Sequence, residues 1–162
     1  MKSKLLKKIL DKKNLQEQIL IQKQEGKKIV FTNGCFDILH LGHLDLLQTA
    51  AGFGDILIVG LNSDSSIKKI KGEKRPINNQ QTRTELLASL FYIDFVVLFE
   101  EETPEKLIKI IQPDTIVKGG DYKKSNIVGA SFVEEYGGTV EIIPLKKGLS
   151  STNIIQKILE QN

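Results

Sequence analysis

The chain has little of several residues that would widen its range of functions: one cysteine, one methionine, four prolines and no tryptophan in 162 residues. A single cysteine excludes an internal disulfide framework and suits a reducing cytoplasm, which is the expected location. No apolar run approaches the roughly 18 residues needed to cross a bilayer. The lysine-rich N-terminus is not expected to be a signal peptide, because Lys7 and Lys8 interrupt the apolar Leu5, Leu6, Ile9 and Leu10. Aromatic residues make up only 6% of the chain, which leaves few platforms for stacking bases.

Charge of one sign is also scarce once it is placed along the chain. Residues 1–28 hold nine lysines against Asp11, Glu17 and Glu25, while the remainder carries 14 basic and 17 acidic residues. An acidic body behind a basic segment reads as a solvated helix face, so neither nucleic acid nor membrane is an expected partner. A basic-tailed interaction protein is the alternative, and it would bind anions through residues 1–28 in a strongly salt-dependent way.

What is present is an alternation. The 40% of hydrophobic residues suffices for one domain with a real core. Leu5, Ile9, Leu15 and Ile19 recur near helical period over residues 3–25, and Gly26 stops the run. Apolar runs at 28–32, 56–61, 95–99, 115–118 and 139–144 read as strands. Helices are expected from about 42 to 52 or 54, over 80–90, after Thr103-Pro104, over 125–136 and over 153–159, with Ser150 or Thr152 capping the last. Strands alternating with helices imply a parallel sheet covered on both faces. The expected fold is α/β: one Rossmann-like, doubly wound sheet of about five strands over residues 28–162, with an amphipathic helical appendage at 1–27.

In such a sheet ligands bind beyond the carboxyl ends of the strands, where strand order reverses. That points to the loop from Thr32 to His43 and the loop from Lys118 to Tyr122. Both histidines of the chain, His40 and His43, flank Gly42 in the first loop. Glycine lets a backbone approach phosphate closely, and a helix starting there offers free N–H groups. Two imidazoles at such a terminus can donate hydrogen bonds to phosphate oxygens as charge develops. Cys35 invites a nucleophilic reading, but thiolate chemistry needs an oriented base, and a small residue in a tight turn explains it as well. Asp37, His40 and His43 would serve zinc only with good ligand geometry, and no protein-held metal is expected.

The stretch Thr32-Asn33-Gly34-Cys35-Phe36-Asp37-Ile38-Leu39-His40-Leu41-Gly42-His43 resembles the H-x-G-H signature of the cytidylyltransferase-like nucleotidyltransferases. Together with Leu61-Asn62-Ser63-Asp64, Lys71-Gly72-Glu73-Lys74-Arg75-Pro76, Val117-Lys118-Gly119-Gly120-Asp121-Tyr122 and Ser150-Ser151-Thr152-Asn153-Ile154-Ile155, it is most similar to the D-glycero-β-D-manno-heptose 1-phosphate adenylyltransferase group. The resemblance implies transfer of AMP from ATP to that sugar phosphate, with release of pyrophosphate and Mg²⁺ accompanying ATP. It implies catalytic roles for His40, His43 and Lys71, the last in a mobile basic loop. Nucleotide contacts are implied for Thr32, Asn33, Gly34, Cys35, Phe36, Gly42, Asn62, Asp64, Lys118, Gly119, Asp121, Ser150, Ser151 and Thr152, and a phosphate contact for Arg83.

Two departures bear on the substrate. Leu145, with Lys146 and Lys147 beside it, stands where cytidylyltransferases often carry arginine, and Ser151 replaces a frequent threonine. The heptose activity is often fused to a sugar kinase, and that step is expected from another protein. A cytidylyltransferase of glycerol 3-phosphate and a non-catalytic nucleotide sensor remain alternatives. Related enzymes are often dimers, so a homodimer is possible by resemblance.

Overall fold

The computed structural model describes residues 5–120, 122–144 and 148–161. Its centre is a parallel sheet of β1 (Ile9–Leu10), β2 (Ile29–Gly34), β3 (Ile56–Asn62), β4 (Phe95–Phe99), β5 (Thr115–Gly119) and β6 (Thr139–Ile143). Their spatial order is β1-β4-β3-β2-β5-β6. Seven α-helices given in full by the described residues accompany it: α1 (Lys12–Gln24), α2 (Leu41–Ala51), α3 (Asp64–Lys71), α4 (Gln80–Ala88), α5 (Glu105–Ile111), α6 (Ala130–Glu135) and α7 (Ser151–Glu160).

The period-two alternation of the strands sorts the core into two halves. Ile29, Phe31, Ile58, Val97 and Phe99 face one apolar cluster, shared with Leu15 and Ile19 of α1 and Leu107, Ile108 and Ile111 of α5. Val30, Leu57, Val59 and Val96 face the other, shared with Leu46, Leu47 and Ala50 of α2 and Leu87 of α4. All seven residues of β3 are buried, as expected of a strand covered on both faces. Aspartates pin the amino ends of the strands. Asp55 accepts the Lys28 N–H, Asp94 the Leu57 N–H and Asp114 the Ile29 N–H, each at 2.8 Å.

Three expectations need correction. The sheet has six strands, because residues 9–10 are not helical but pair with Val96 and Val97 of β4. The Asp11 carboxylate accepts the Asn14 N–H at 2.8 Å, so α1 begins after Asp11; before it a turn closed by the Lys8 N–H donating to the Leu5 carbonyl at 3.0 Å leads into the extended Ile9–Leu10. Lys8 then fastens this segment by donating its ammonium to the carbonyls of Leu90 and Ile93. Residues 64–71, expected as loop, form α3, capped by the Ser63 hydroxyl accepting from the Ser66 N–H. The helix expected over 125–136 is split into a 3₁₀ turn at Lys124–Asn126 and the short α6.

Leu15 is fully buried, which makes α1 part of the core. Leu15→Ala should therefore cost ~2–5 kcal/mol, read as a lower denaturation midpoint with unchanged slope. A loss within ~0.5 kcal/mol, the range of surface substitutions, would place the helix outside the cooperative unit.

Candidate active site

The chain runs outward from β2 through β3 to β4, then returns to lay β5 on the other side of β2. Strand order thus reverses between β2 and β5. Those two strands pair only at Val30 with Thr115 and Phe31 with Ile116, whereas β2 and β3 pair along six positions. Beyond Phe31 the seam parts, and a cavity of about 250 Å³ opens above it.

Asn33, Gly34, Cys35 and Phe36 line the cavity from the end of β2, and Lys118 and Gly119 from the end of β5. His40, Gly42 and His43 enter at the start of α2, Lys71 at the end of α3, and Ser150, Ser151 and Thr152 at the start of α7. Sequence reasoning missed the lining residues Leu46 and Tyr122, the latter within reach because it closes one of the matched blocks, while Leu149 falls in the Gly148–Thr152 segment that the resemblance places beside the nucleotide. Two helices of ten or more residues direct their N-termini at this space, an arrangement that favours anions. Ser150 caps α7 by accepting from the Asn153 N–H at 3.0 Å. The Ser151 hydroxyl ties that helix to the β2 loop by donating to the Ile38 carbonyl at 3.1 Å.

The His40 and His43 rings stack with centroids 3.8 Å apart. Burial lowers the pKa of His40, and burial together with the charges of His40 and Lys71 takes His43 down to about 4. Both imidazoles are therefore neutral at pH 7 and can each donate one N–H. His40 Nδ1 is buried with no hydrogen-bond partner among the described residues. A Cβ on Gly42 would lie 3.1 Å from that nitrogen, so glycine is what leaves the ring its place. Phe36 is buried at a left-handed φ of 45° and sets its ring 5.1 Å from that of His43. Such a conformation in a non-glycine residue is strained and persists where the surroundings over-determine it.

Burial raises the pKa of the Cys35 thiol despite Lys71, Arg83 and Arg75 nearby, which leaves no thiolate for attack. The Asp37 carboxylate is 1% exposed and accepts from Arg75 Nε at 2.7 Å and from the Ile77 and Asn78 N–H groups. Burial pushes its pKa up, but these donors outweigh burial and hold it below the ordinary value. Its oxygens are thus committed to the loop after α3 and do not join the histidines as metal ligands.

The structure does not bring every expected residue to the cavity. Arg83 is fully buried beneath it. Its guanidinium donates to the carbonyls of Cys35, Asn62 and Asn78 at 2.7 to 2.9 Å and to the Asp64 carboxylate at 2.8 Å. Asn62 and Asp64 belong to this network, and Asn62 also donates to the Ser66 hydroxyl at 2.9 Å. Thr32 is buried within β2 and does not line this cavity. Asp121, Leu145, Lys146 and Lys147 lie outside the described residues. Lys71 is the last residue of a helix, not part of a mobile loop. On the far wall, burial lowers the Lys118 pKa to about 8, and its ammonium donates to the Asn33 side chain and carbonyl.

A doubly wound parallel sheet, with paired imidazoles, two helix N-termini and lysines at its switch point, defines a binder of phosphorylated ligands of the nucleotide-binding α/β class. The chain belongs to the cytidylyltransferase-like family, whose model matches residues 31–157. It is 54% identical over 142 residues to the bifunctional protein HldE of Geobacter sulfurreducens, covering 88% of this chain and 29% of that protein. The corresponding protein of Syntrophotalea carbinolica is 49% identical, over 95% of this chain and 31% of its own length. The chain thus spans under a third of these relatives. A lipopolysaccharide core biosynthesis protein from Thermoplasma volcanium superposes with a TM-score of 0.62 at 31% identity, over 75% of this chain and 98% of that one. Pantoate-beta-alanine ligase from Francisella tularensis, at 19% identity and a TM-score of 0.60, shares the fold.

Arg83→Ala should lower stability by ~3–5 kcal/mol, because several buried carbonyls and Asp64 lose their donors together. Arg83→Lys should recover only part of this, since one ammonium cannot span the same acceptors; wild-type stability in either variant would refute the assignment. NMR titration should place the His43 midpoint near 4, below the ordinary 6.5. The unfolded chain then takes up that proton first, so His43 should withdraw stability as pH falls from 6.5 towards 4. A midpoint near 6.5 would overturn the burial account.

Proposed function

We propose that this chain is a nucleotidyltransferase that moves AMP from ATP to D-glycero-β-D-manno-heptose 1-phosphate, giving ADP-heptose and pyrophosphate. The observation that carries the reading is the stacked, neutral histidine pair at the start of α2, its buried His40 Nδ1 without a hydrogen-bond partner among the described residues, at the switch point of a parallel sheet. The acceptor class follows from the sequence blocks shared with the heptose group, supported by relatives named HldE and by a lipopolysaccharide core biosynthesis protein of similar fold. A cytoplasmic setting accompanies the proposal.

The acceptor is a phosphate monoester, already ionised at neutral pH, so no general base is required. Its oxygen attacks the α-phosphorus in line, the bond to the bridging oxygen breaks, and pyrophosphate leaves carrying the charge. Little covalent work remains for the protein, and positioning and charge stabilisation dominate. His40 and His43 donate to the phosphoryl oxygens as negative charge builds. Lys71 and the helix N-termini of α2 and α7 take the leaving phosphates. Cys35 and Phe36 hold the nucleotide against the end of β2. Arg83 acts one layer down, fixing the Cys35 carbonyl and therefore the loop that carries the histidines.

The described residues lining the cavity include no carboxylate, and no described group of three or more His, Cys, Asp or Glu could hold a metal. Mg²⁺ prefers oxygen ligands and keeps much of its water. This donor set fits an ion that arrives on the triphosphate as part of the substrate, not one caged by the protein.

With Mg²⁺ and ATP, pyrophosphate should appear only when the heptose phosphate is added, and His40→Ala or His43→Ala should slow it by ~100-fold or more with the fold intact. Release with CTP and a polyol phosphate would keep the chemistry and overturn the substrate; nucleotide binding without release would indicate a sensor. ATP affinity should also fall as pH rises through about 8, where Lys118 loses its charge. Lys118→Met should abolish that dependence, and its persistence would assign it to another group.

A further inference from the structure

A second cavity, of about 210 Å³, lies beside the first and shares Asn33, Lys118 and Tyr122 with it. Neither cavity alone reaches the ~300 Å³ at which small-molecule sites typically begin, and the two together pass it. The far walls of the second are Glu102 and Thr103 after β4, Pro104, and Asn126 with Ile127 and Val128. No residue in this group outside the shared wall has been assigned a role.

The shared wall is built, not incidental. Lys118 reaches across the parted seam to Asn33, so its ammonium stands between the two spaces. Tyr122 is held beside it because Gly120, at φ 132°, has no Cβ; one added there would meet the Tyr122 ring at 2.8 Å. The walls differ in charge. The first cavity has cations, imidazoles and helix N-termini and, among the described residues, no carboxylate. The second has a carboxylate, an amide and a hydroxyl at its far end. A triphosphate is repelled from Glu102 and drawn to the first cavity. A polyhydroxylated acceptor finds partners for its hydroxyls in the second, with an apolar surface from Pro104 and Ile127 beneath.

We infer that the cavity between the Glu102–Pro104 loop and Asn126–Val128 is the acceptor subsite, and that Glu102 and Asn126 select a sugar phosphate by hydrogen bonding its hydroxyls. The inference rests on the nucleotidyl-transfer reading and deepens it. The acceptor phosphate lies at the seam, where Lys118 offsets its repulsion from the α-phosphate, and the sugar extends away from the nucleotide. This places the attacking oxygen and the leaving pyrophosphate on opposite sides of the α-phosphorus, as in-line displacement requires. Glu102 and Asn126 are specificity residues here; neither touches the reacting atoms.

The test is a pair of measurements on wild type, Glu102→Ala and Asn126→Ala. In steady-state kinetics each variant should raise the KM for heptose 1-phosphate about tenfold while leaving the KM for ATP unchanged, the loss of roughly one hydrogen bond to the sugar. Calorimetry with heptose 1-phosphate, on protein saturated with a non-hydrolysable ATP analogue, should show the same loss without requiring turnover. Unchanged acceptor KM and affinity in both variants would overturn the inference while leaving the transfer reading intact. So would an acceptor affinity that depends on Lys71 but on neither of these residues, which would put the acceptor on the α3 side. Wild type that binds the sugar phosphate in this cavity but releases no pyrophosphate would sustain the subsite and refute the transfer. No binding of the sugar phosphate to wild type would overturn both.

Discussion

The site depends on one buried cation. Arg83 has no exposed surface, and a guanidinium can be kept there only if its donors are matched. They are matched by the Cys35 carbonyl from the loop after β2, the Asn62 carbonyl at the end of β3, the Asn78 carbonyl before α4, and the Asp64 carboxylate at the start of α3. One side chain therefore registers three segments of the chain, at residues 35, 62–64 and 78. Asp37 supplies the complementary anchor: its carboxylate gathers Arg75, Ile77 and Asn78, and its carbonyl accepts from the Asn78 side chain at 2.6 Å. The loop bearing the histidines is thus held from below by a cation and from the side by an anion. Neither charge is left over for ligand. The lysines that line the cavity are instead Lys71 and Lys118.

The same economy appears in the sheet. Its amino edge is closed by aspartates that cap strand N–H groups, while its carboxyl edge is left open where β2 and β5 stop pairing after two positions. Parallel strands that part leave backbone groups to be satisfied by other means. Lys118 meets part of that need by donating to Asn33 across the gap. The crevice of a doubly wound sheet is in this sense a defect in strand pairing that polar side chains occupy.

Much of this was legible in the sequence because the signals are local. The apolar run at 95–99 coincides with β4, and the helical spacing of Leu44, Leu47 and Ala51 located α2, with the imidazoles at its start. The edge strand Ile9–Leu10 was not legible, since two residues carry no period, though Asp11 marked where α1 had to begin. The phosphate contact implied for Arg83 comes from the family resemblance, which matches an arginine at a helix start. Whether it points up to the ligand or down into the protein is decided by carbonyls from three other segments, and no spacing records that. Lys71 was placed in a loop because the lysines around it hide the apolar Ile67, buried on the inner face of α3.

The histidine pair shows why burial and charge have to be considered together. Two imidazoles 3.8 Å apart, near Lys71 and shielded from water, cannot both hold protons in the unliganded protein, and the structure resolves the conflict by keeping them neutral. A permanently charged pair would bind every phosphate in the triphosphate strongly, ground state included. A neutral pair donates weakly to a resting phosphate and more strongly as charge accumulates on the oxygens during transfer, when the incoming anion also raises the imidazole pKa. Differential stabilisation of that kind accelerates the chemical step, where uniform binding would not. The low pKa of His43 is then a consequence of burial that the proposed reaction turns to use, and the stacking that depresses it also aims both rings at the same space.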